Sequence, residues 1–163
     1  MAEVFICIGS NIDNRYKYLK KAVQIIRKDK SFKIEKCSLI YETEAWGKTE
    51  QKDFLNSVLK IKTRLGPANL LKRLKEIEKK AGRKNFGRWE EREVDIDILI
   101  YDNIIYDSEE LQIPHKELHK RNFVLIPLNE IAPDFIHPVL KKPLSELLKK
   151  SKDKLKVKIY KDN

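Results

Sequence analysis

Two carboxylates one residue apart, Asp95 and Asp97, follow closely on Arg83, Lys84, Arg88, Trp89 and Arg92. Around them the chain alternates. Val94, Ile96, Ile98 and Ile100 fall on one face, and Asp95, Asp97, Leu99 and Tyr101 on the other, the pattern of a β-strand. Side chains two apart on a strand point the same way, roughly 6.5 Å from each other at the backbone. Carboxylates so placed repel in a half-buried setting unless a cation lies between them. Hard oxygen ligands favour Mg²⁺, which takes one or two carboxylates and completes its shell with water and phosphate oxygens. Guanidinium forks match phosphate geometry. These residue types point to a Mg²⁺–nucleotide site for phosphoryl-type transfer. The pattern also suits an edge strand with two solvated acids, a reading that gives the basic residues just upstream no purpose.

A site of this kind needs a rigid support, and 163 residues suit one domain with one core, spanning residues 1–163. A hydrophobic content of 41% excludes wholesale disorder. The net charge of +10 attracts polyanions, but residues 149–163 carry seven Lys against two Asp, so the overall charge says little about the site. Cys7 and Cys37 lack metal or redox spacing and fit a reducing cytoplasm. Met1 leads into a strand rather than a secretion signal, and no apolar run reaches membrane-span length. The expectation is a cytoplasmic protein with no membrane partner.

Hydrophobic periodicity predicts the supporting elements. Residues 3–10 read as a buried strand ending in a Gly9-Ser10-Asn11 turn, with Cys7 as core filling. Asn14 caps a helix over Arg15–Lys28, whose stripe is Tyr18, Leu19, Ala22, Val23 and Ile26. Strands follow over residues 32–41 and 53–63, separated by a polar connection at 42–52. Gly66-Pro67 opens a second helix that Gly82 closes. After the Asp strand, Asp102-Asn103 predicts a hairpin in which residues 104–106 pair back. A helix is expected over Asn122–Ile131 despite Pro127, a short one over residues 144–150, and a last strand through Leu155, Val157 and Ile159. The order β-α-β-β-α-β implies an α+β, ferredoxin-like βαββαβ core. Its antiparallel sheet carries both helices on one face, with C-terminal additions. No glycine-rich phosphate loop is present, so side chains and metal must hold a nucleotide.

His115 and His119 have the i, i+4 spacing of a zinc pair, but Pro114 argues against a helical turn there and no third ligand has suitable spacing. His115 as a phosphate donor near Arg121 is the better reading. Trp89 packs its loop or stacks on a base, Phe54 and Phe123 are core residues or a stacking pair, and Asn56 is an unusual amide in an apolar strand.

Taken together, the residues resemble the 6-hydroxymethyl-7,8-dihydropterin pyrophosphokinase family of folate biosynthesis. The matching signatures run through most of the chain: Ile8-Gly-Ser-Asn11, Tyr41-Glu-Thr-Glu44, Trp46-Gly47, Phe54-Leu-Asn56, Ile77-Glu78, Gly82-Arg83, Arg88-Trp89, Arg92-Glu-Val-Asp-Ile-Asp-Ile-Leu99, Ile113-Pro-His115, Leu118-His119, Arg121, Phe123-Val-Leu125, Pro127-Leu128, Glu130-Ile-Ala-Pro133 and His137-Pro138.

The resemblance implies transfer of the β,γ-diphosphate of ATP to the hydroxymethyl group of the reduced pterin, with release of AMP. It implies that Asp95 and Asp97 hold two Mg²⁺ ions and that Arg83 and Arg92 close on the phosphates. ATP is expected at Arg83, Lys84, Arg88, Trp89, Arg92, Ile98, His115 and Arg121. The pterin is expected between Phe54 and Phe123, read by Asn56, with Thr43, Trp46 and Asp95 nearby. A monomer acting on ATP and the pterin, without nucleic acid, is implied.

The sequence departs from the family pattern in places. Lys84 stands where a second loop arginine is common, Glu90-Glu91 replace Gly-Pro, and Ala45 and Lys52 stand where prolines are frequent. A lost compatible proline frees the open chain by about 0.4–1 kcal/mol, which predicts a more mobile connection over residues 42–52. Two other classes compete: an RNA-binding module on the same sheet topology, which would show paired aromatics in a central strand, and a palm-type nucleotidyl transferase, which keeps the Asp pair.

Overall fold

The structure, a computed structural model, describes residues 1–44, 52–84 and 91–161. It is organised around one strand, β1 (Ala2–Ser10). Val4, Ile6 and Ile8 face one side and Phe5 and Cys7 the other, and both sides are buried. Such a strand needs a layer packed on each face of its sheet. β1 pairs antiparallel with β4 (Phe54–Thr63) and β5 (Asp95–Tyr101). β4 in turn pairs with β2 (Phe32–Cys37) and β3 (Tyr41–Thr43), and β3 with the C-terminal β8 (Val157–Ile159). The order is β5-β1-β4-β3-β8, with β2 also on β4.

Two helices cover the first face. α1 (Arg15–Lys28) is capped by Asn14, whose Oδ1 accepts from Lys17 N at 3.1 Å, and it buries Leu19, Ala22 and Ile26. α2 (Pro67–Lys80) starts on its proline and buries Leu70, Leu74 and Ile77. It ends in a Schellman turn: Gly82 has φ 114°, Gly82 N donates to Lys79 O, and Arg83 N donates to Glu78 O. Glycine suits this φ, and a Cβ there would also lie 2.8 Å from Tyr18 Cε1. The turn delivers Arg83 beside Glu78.

The α+β core is as expected, but the sheet is covered on its second face as well. α3 (Asn122–Ile131) and α4 (Leu144–Lys149) bury Val124, Leu125, Leu128 and Leu144 there, against Phe5, Cys7, Val58 and Leu99. No helix among the described residues is long and apolar enough to cross a membrane.

Three local expectations are corrected. The strand predicted over residues 32–41 is two strands, because Ser38 breaks it: its N donates to Val58 O and its Oγ accepts from Val58 N. The alternation of β5 holds only to Ile98. Ile6 pairs with Ile98 and Phe5 with Ile100, so Leu99 is an extra, bulged residue. Beyond it Ile100 turns to the second face with Leu99, while Tyr101 packs on the first. Residues 104–106 do not pair back onto β5 either. Asp102 is tied to Glu3, accepting from Glu3 N through Oδ1 and donating from its N to Glu3 O, both at 2.8 Å. A small separate hairpin, β6 (Tyr106–Asp107) with β7 (Gln112–Ile113), forms instead.

Candidate active site

On the second face, Asp95, Gly9, Asn56 and Tyr41 are successive cross-strand partners on β5, β1, β4 and β3. Aligned partners share a face. Asp97, Cys7 and Val58 form the next row, and Thr43 pairs with Phe54 on the other side. Gly9 leaves a gap in the middle of the first row: a Cβ there would lie 2.5 Å from Asn56 Oδ1. Asn56 Nδ2 and Thr43 Oγ1 are buried without a hydrogen-bond partner among the described residues. Buried polar groups are rarely left so.

Asp95 is gripped from two sides. Arg83 Nη1 lies 3.2 Å from its Oδ1, and Arg92 Nη1 lies 3.0 Å from its Oδ2. The same Arg83 nitrogen also pairs with Glu78 Oε2. Glu78 is buried, and burial followed by the charge of Asp95 raises its pKa. Arg92 is held at its backbone, since Asn11 Oδ1 accepts from Arg92 N at 2.8 Å and Asn11 N donates to Arg92 O at 3.0 Å. Buried Glu93 accepts from Lys84 N, and the Lys84 side chain is exposed.

Asp97 has no ion pair among the described residues. Burial, then Asp95 and Glu78, push its carboxyl up to about 7, with Arg92 and Arg121 pulling the other way. The two carboxylates Asp95 and Asp97, the second without an ion pair among the described residues, are a set whose repulsion a divalent cation would relieve, and two carboxylates suit Mg²⁺.

The bulge at Leu99 places His115, whose N donates to Leu99 O at 2.9 Å. His115 Nδ1 accepts from Glu117 N, so the neutral ring carries its proton on Nε2. Burial, then Arg121, lower its pKa and keep it neutral. Arg121 stands at the entry to α3, its guanidinium 5.6 Å from the Phe123 ring centre. Phe123 is half-buried on this face, as is Phe54. His119 packs edge-on against His137 at 6.5 Å, and His137 Nδ1 accepts from Val139 and Leu140. No group of three or more metal-ligating side chains occurs among the described residues, so the histidine pair has no zinc set there.

A cavity of about 460 Å³ opens onto the Asp pair. Leu71, Lys75 and Glu78 of α2 form one wall, residues 108–112 with His115 and Lys116 the other, and Asp95 to Ile98 the floor. Its size is that of a small-molecule site. Trp46, Arg88 and Trp89 lie outside the described residues, as do Ala45 and Glu90 and most of the 42–52 connection. Arg83, Arg92, Ile98, His115 and Arg121 lie about the Asp pair, and Thr43 and Phe54 adjoin the Asn56 row; Phe123 packs on the second face beside Arg121, and the Lys84 side chain points to solvent.

Residues 5–133 match the model of a family described as 7,8-dihydro-6-hydroxymethylpterin-pyrophosphokinase. The chain belongs to this family. It is 45% identical over 146 residues to the 2-amino-4-hydroxy-6-hydroxymethyldihydropteridine pyrophosphokinase of Aquifex aeolicus, covering 90% of each chain. The enzyme of the same name from Haemophilus influenzae is 37% identical, over 98% of this chain and 99% of that one. The fold is shared with the wild-type Plasmodium falciparum HPPK-DHPS crystal structure with SDX-DHP, at TM-score 0.73 and 18% identity. There the chain spans 92% of its own length and 43% of the other.

For a member of this family, several site residues carried no strong sequence signal. Glu78 and Glu93 stand within the matching signatures with no role attached, and the fold buries both. Leu71 and Lys75 belong to a helix stripe and its flank, and residues 108–112 have no periodicity. Asn11 reads as a turn residue, and only the β1–β5 pairing reveals that it holds Arg92.

Proposed function

We propose that the protein transfers the terminal diphosphate of ATP to the hydroxymethyl group of 6-hydroxymethyl-7,8-dihydropterin, releasing AMP. The supporting observation is the double membership of Asp95. It lies on the floor of the nucleotide-sized cavity and heads the row that runs through the Gly9 gap to Asn56 Nδ2, a buried donor with no hydrogen-bond partner among the described residues. Two substrates, one in the cavity and one across the row, meet at that carboxylate.

The nucleoside sits against Leu71 and Ile98, with the phosphates over β5. Arg83 and Arg92 exchange Asp95 for phosphate oxygens, His115 donates from Nε2, and Arg121 adds a second charge from α3. Asn56 Nδ2 and Thr43 Oγ1 pair with heteroatoms of the ring, which lies between Phe54 and Phe123. Lys84, Arg88, Trp89 and Trp46 join these sets through the family resemblance. Asp95 and Asp97 would hold two Mg²⁺ ions, which would supply positive charge against the phosphates. The hydroxymethyl oxygen forms a bond to the β-phosphorus as the β-phosphorus–oxygen bond to AMP breaks. The electron pair leaves on the AMP oxygen and the hydroxyl proton is released. Little covalent work falls to the protein; positioning and charge neutralisation lower the barrier.

The whole of residues 1–163 acts as one domain, supported by the two core clusters that share a single sheet. The two free thiols support a reducing, cytoplasmic setting, and a monomer acting on small molecules rather than nucleic acid completes the reading. Incubation with Mg²⁺, ATP and the pterin should yield AMP and the pterin diphosphate. Formation of ADP, or no turnover at all, would refute it.

A further inference from the structure

We propose that Arg15 and the C-terminal strand β8 form a clamp that positions Thr43 and Phe54 for the ring-carrying substrate. The idea rests on the pyrophosphokinase reading but concerns residues that reading does not use. β8 also lies beyond residues 5–133, the stretch that matches the family.

Thr43 and Phe54 are the last pair of the β3–β4 ladder, and the chain leaves the sheet after Thr43 and returns at Phe54. One guanidinium nitrogen joins both stems. Arg15 Nη1 donates to Glu42 Oε2 at 2.6 Å and to Asp53 O at 2.7 Å. Both side chains of the ion pair are mostly covered, at 20% and 17% exposure, so the contact is less screened than an open surface pair.

β8 supports this contact from the other side. Its three residues pair with Tyr41, Glu42 and Thr43. Without it β3 would be a three-residue edge strand with β4 as its one ladder partner, anchored otherwise by side chains such as the Tyr41 hydroxyl, which donates to Glu130 of α3 at 2.6 Å. Lys158 Nζ lies 3.6 Å from Glu42 Oε1, so Glu42 is gripped at both oxygens. Lys156 N donates to Glu44 Oε1 at 3.1 Å, and Tyr160 N to Ile40 O at 2.8 Å. The Tyr160 ring lies 5.8 Å from the Arg15 guanidinium and 5.9 Å from the Tyr16 ring, so the end of the chain fixes the start of α1 to the same point. A change at Arg15 or Tyr160 is therefore felt at Thr43, although neither residue is in the row that faces the ring.

The test compares wild type with Arg15→Ala, Tyr160→Ala and the exchange pair Arg15→Glu/Glu42→Arg. Each is followed by KM for both substrates, kcat, and hydrogen exchange at residues 41–43. The clamp predicts a KM for the pterin raised by on the order of tenfold, which corresponds to about 1.4 kcal/mol. KM for ATP should stay within about twofold, since the cavity lies on the far side of β1. Exchange at residues 41–43 should quicken, and the exchange pair should recover part of the pterin KM. Equal rises in both KM values would indicate a general loss of fold and overturn the clamp, as would unchanged pterin KM and exchange. If wild type makes no AMP, the functional reading fails, and the exchange data alone decide whether Arg15 and Tyr160 hold β3.

Discussion

Gly9 faces Asn56 across the β1–β4 ladder so closely that a Cβ on the glycine would sit 2.5 Å from Asn56 Oδ1. The same oxygen lies 3.7 Å from Cys7 Sγ, so the amide has little room to retreat. Gly9→Ala should displace Asn56 and fill the gap next to Asp95. Overpacking of this kind costs about 1–3 kcal/mol. Denaturant melts should show that loss, and calorimetry should show weakened pterin binding with nucleotide binding retained. Unchanged pterin affinity would remove Asn56 from the ring site.

Asp97 sets a pH dependence. Its ordinary value is 3.8, and in the folded chain it is raised to about 7. Below 3.8 both states hold the proton; between 3.8 and about 7 only the folded state does. Stability of the metal-free protein therefore falls as pH rises through that window. Allowing for solvent at a half-buried side chain, the loss is on the order of 1–2 kcal/mol. Asp97→Asn should flatten this part of the curve and abolish turnover. Mg²⁺ should raise Tm of the wild type at pH 8 more than at pH 5, and should not do so in the variant. A variant with the same slope as wild type would show that another group sets it.

The two arginines on Asp95 should separate in their effects on stability. Arg92 and Asp95 are partly exposed, at 26% and 19%, so Arg92→Ala should cost under about 1 kcal/mol of stability. If the arginine meets charge on the transferring group, kcat should fall about 10²–10³-fold. Arg83 and Glu78 are buried at 8% and 2% exposure. Arg83→Ala strands the buried acid and should cost about 3–5 kcal/mol as well as activity. Urea titrations and single-turnover rates on both variants measure the contrast. Similar stability losses would contradict it.

The cavity beside the Asp pair can be blocked without touching the charged residues. Leu71→Trp places a large ring against a space of about 460 Å³. Affinity for ATP should fall by about tenfold or more, with pterin affinity preserved. Fluorescent-nucleotide titration reads this directly, and an unaffected Kd would place the nucleoside elsewhere.

Where local chemistry decides the outcome, the sequence was readable. Asn14 and Gly82 bound their helices as capping rules expect, and the Asp pair shares a face because Ile96 and Ile98 bury the opposite one. Where a distant partner decides, it was not. Ser38 interrupts a good strand pattern because Val58 offers both a donor and an acceptor. Asp102 looks like a hairpin turn, yet it is bound to Glu3 at the far end of the chain's first strand. The acidic cluster of Glu78, Asp95 and Asp97 arises only when α2 is laid against β5. Arg15 had no motif at all; its meaning depends on a strand that begins 142 residues later.

The surplus residue in β5 has an evolutionary edge. Removing Leu99 would give β1 and β5 a regular ladder, and by backbone criteria a better sheet. It would also delete the carbonyl that holds the His115 amide and return Ile100 to the opposite layer. Leu99 and Ile100 are both buried in the second layer, so the deletion would also hollow out that core, and the irregularity serves packing and the placing of His115 together.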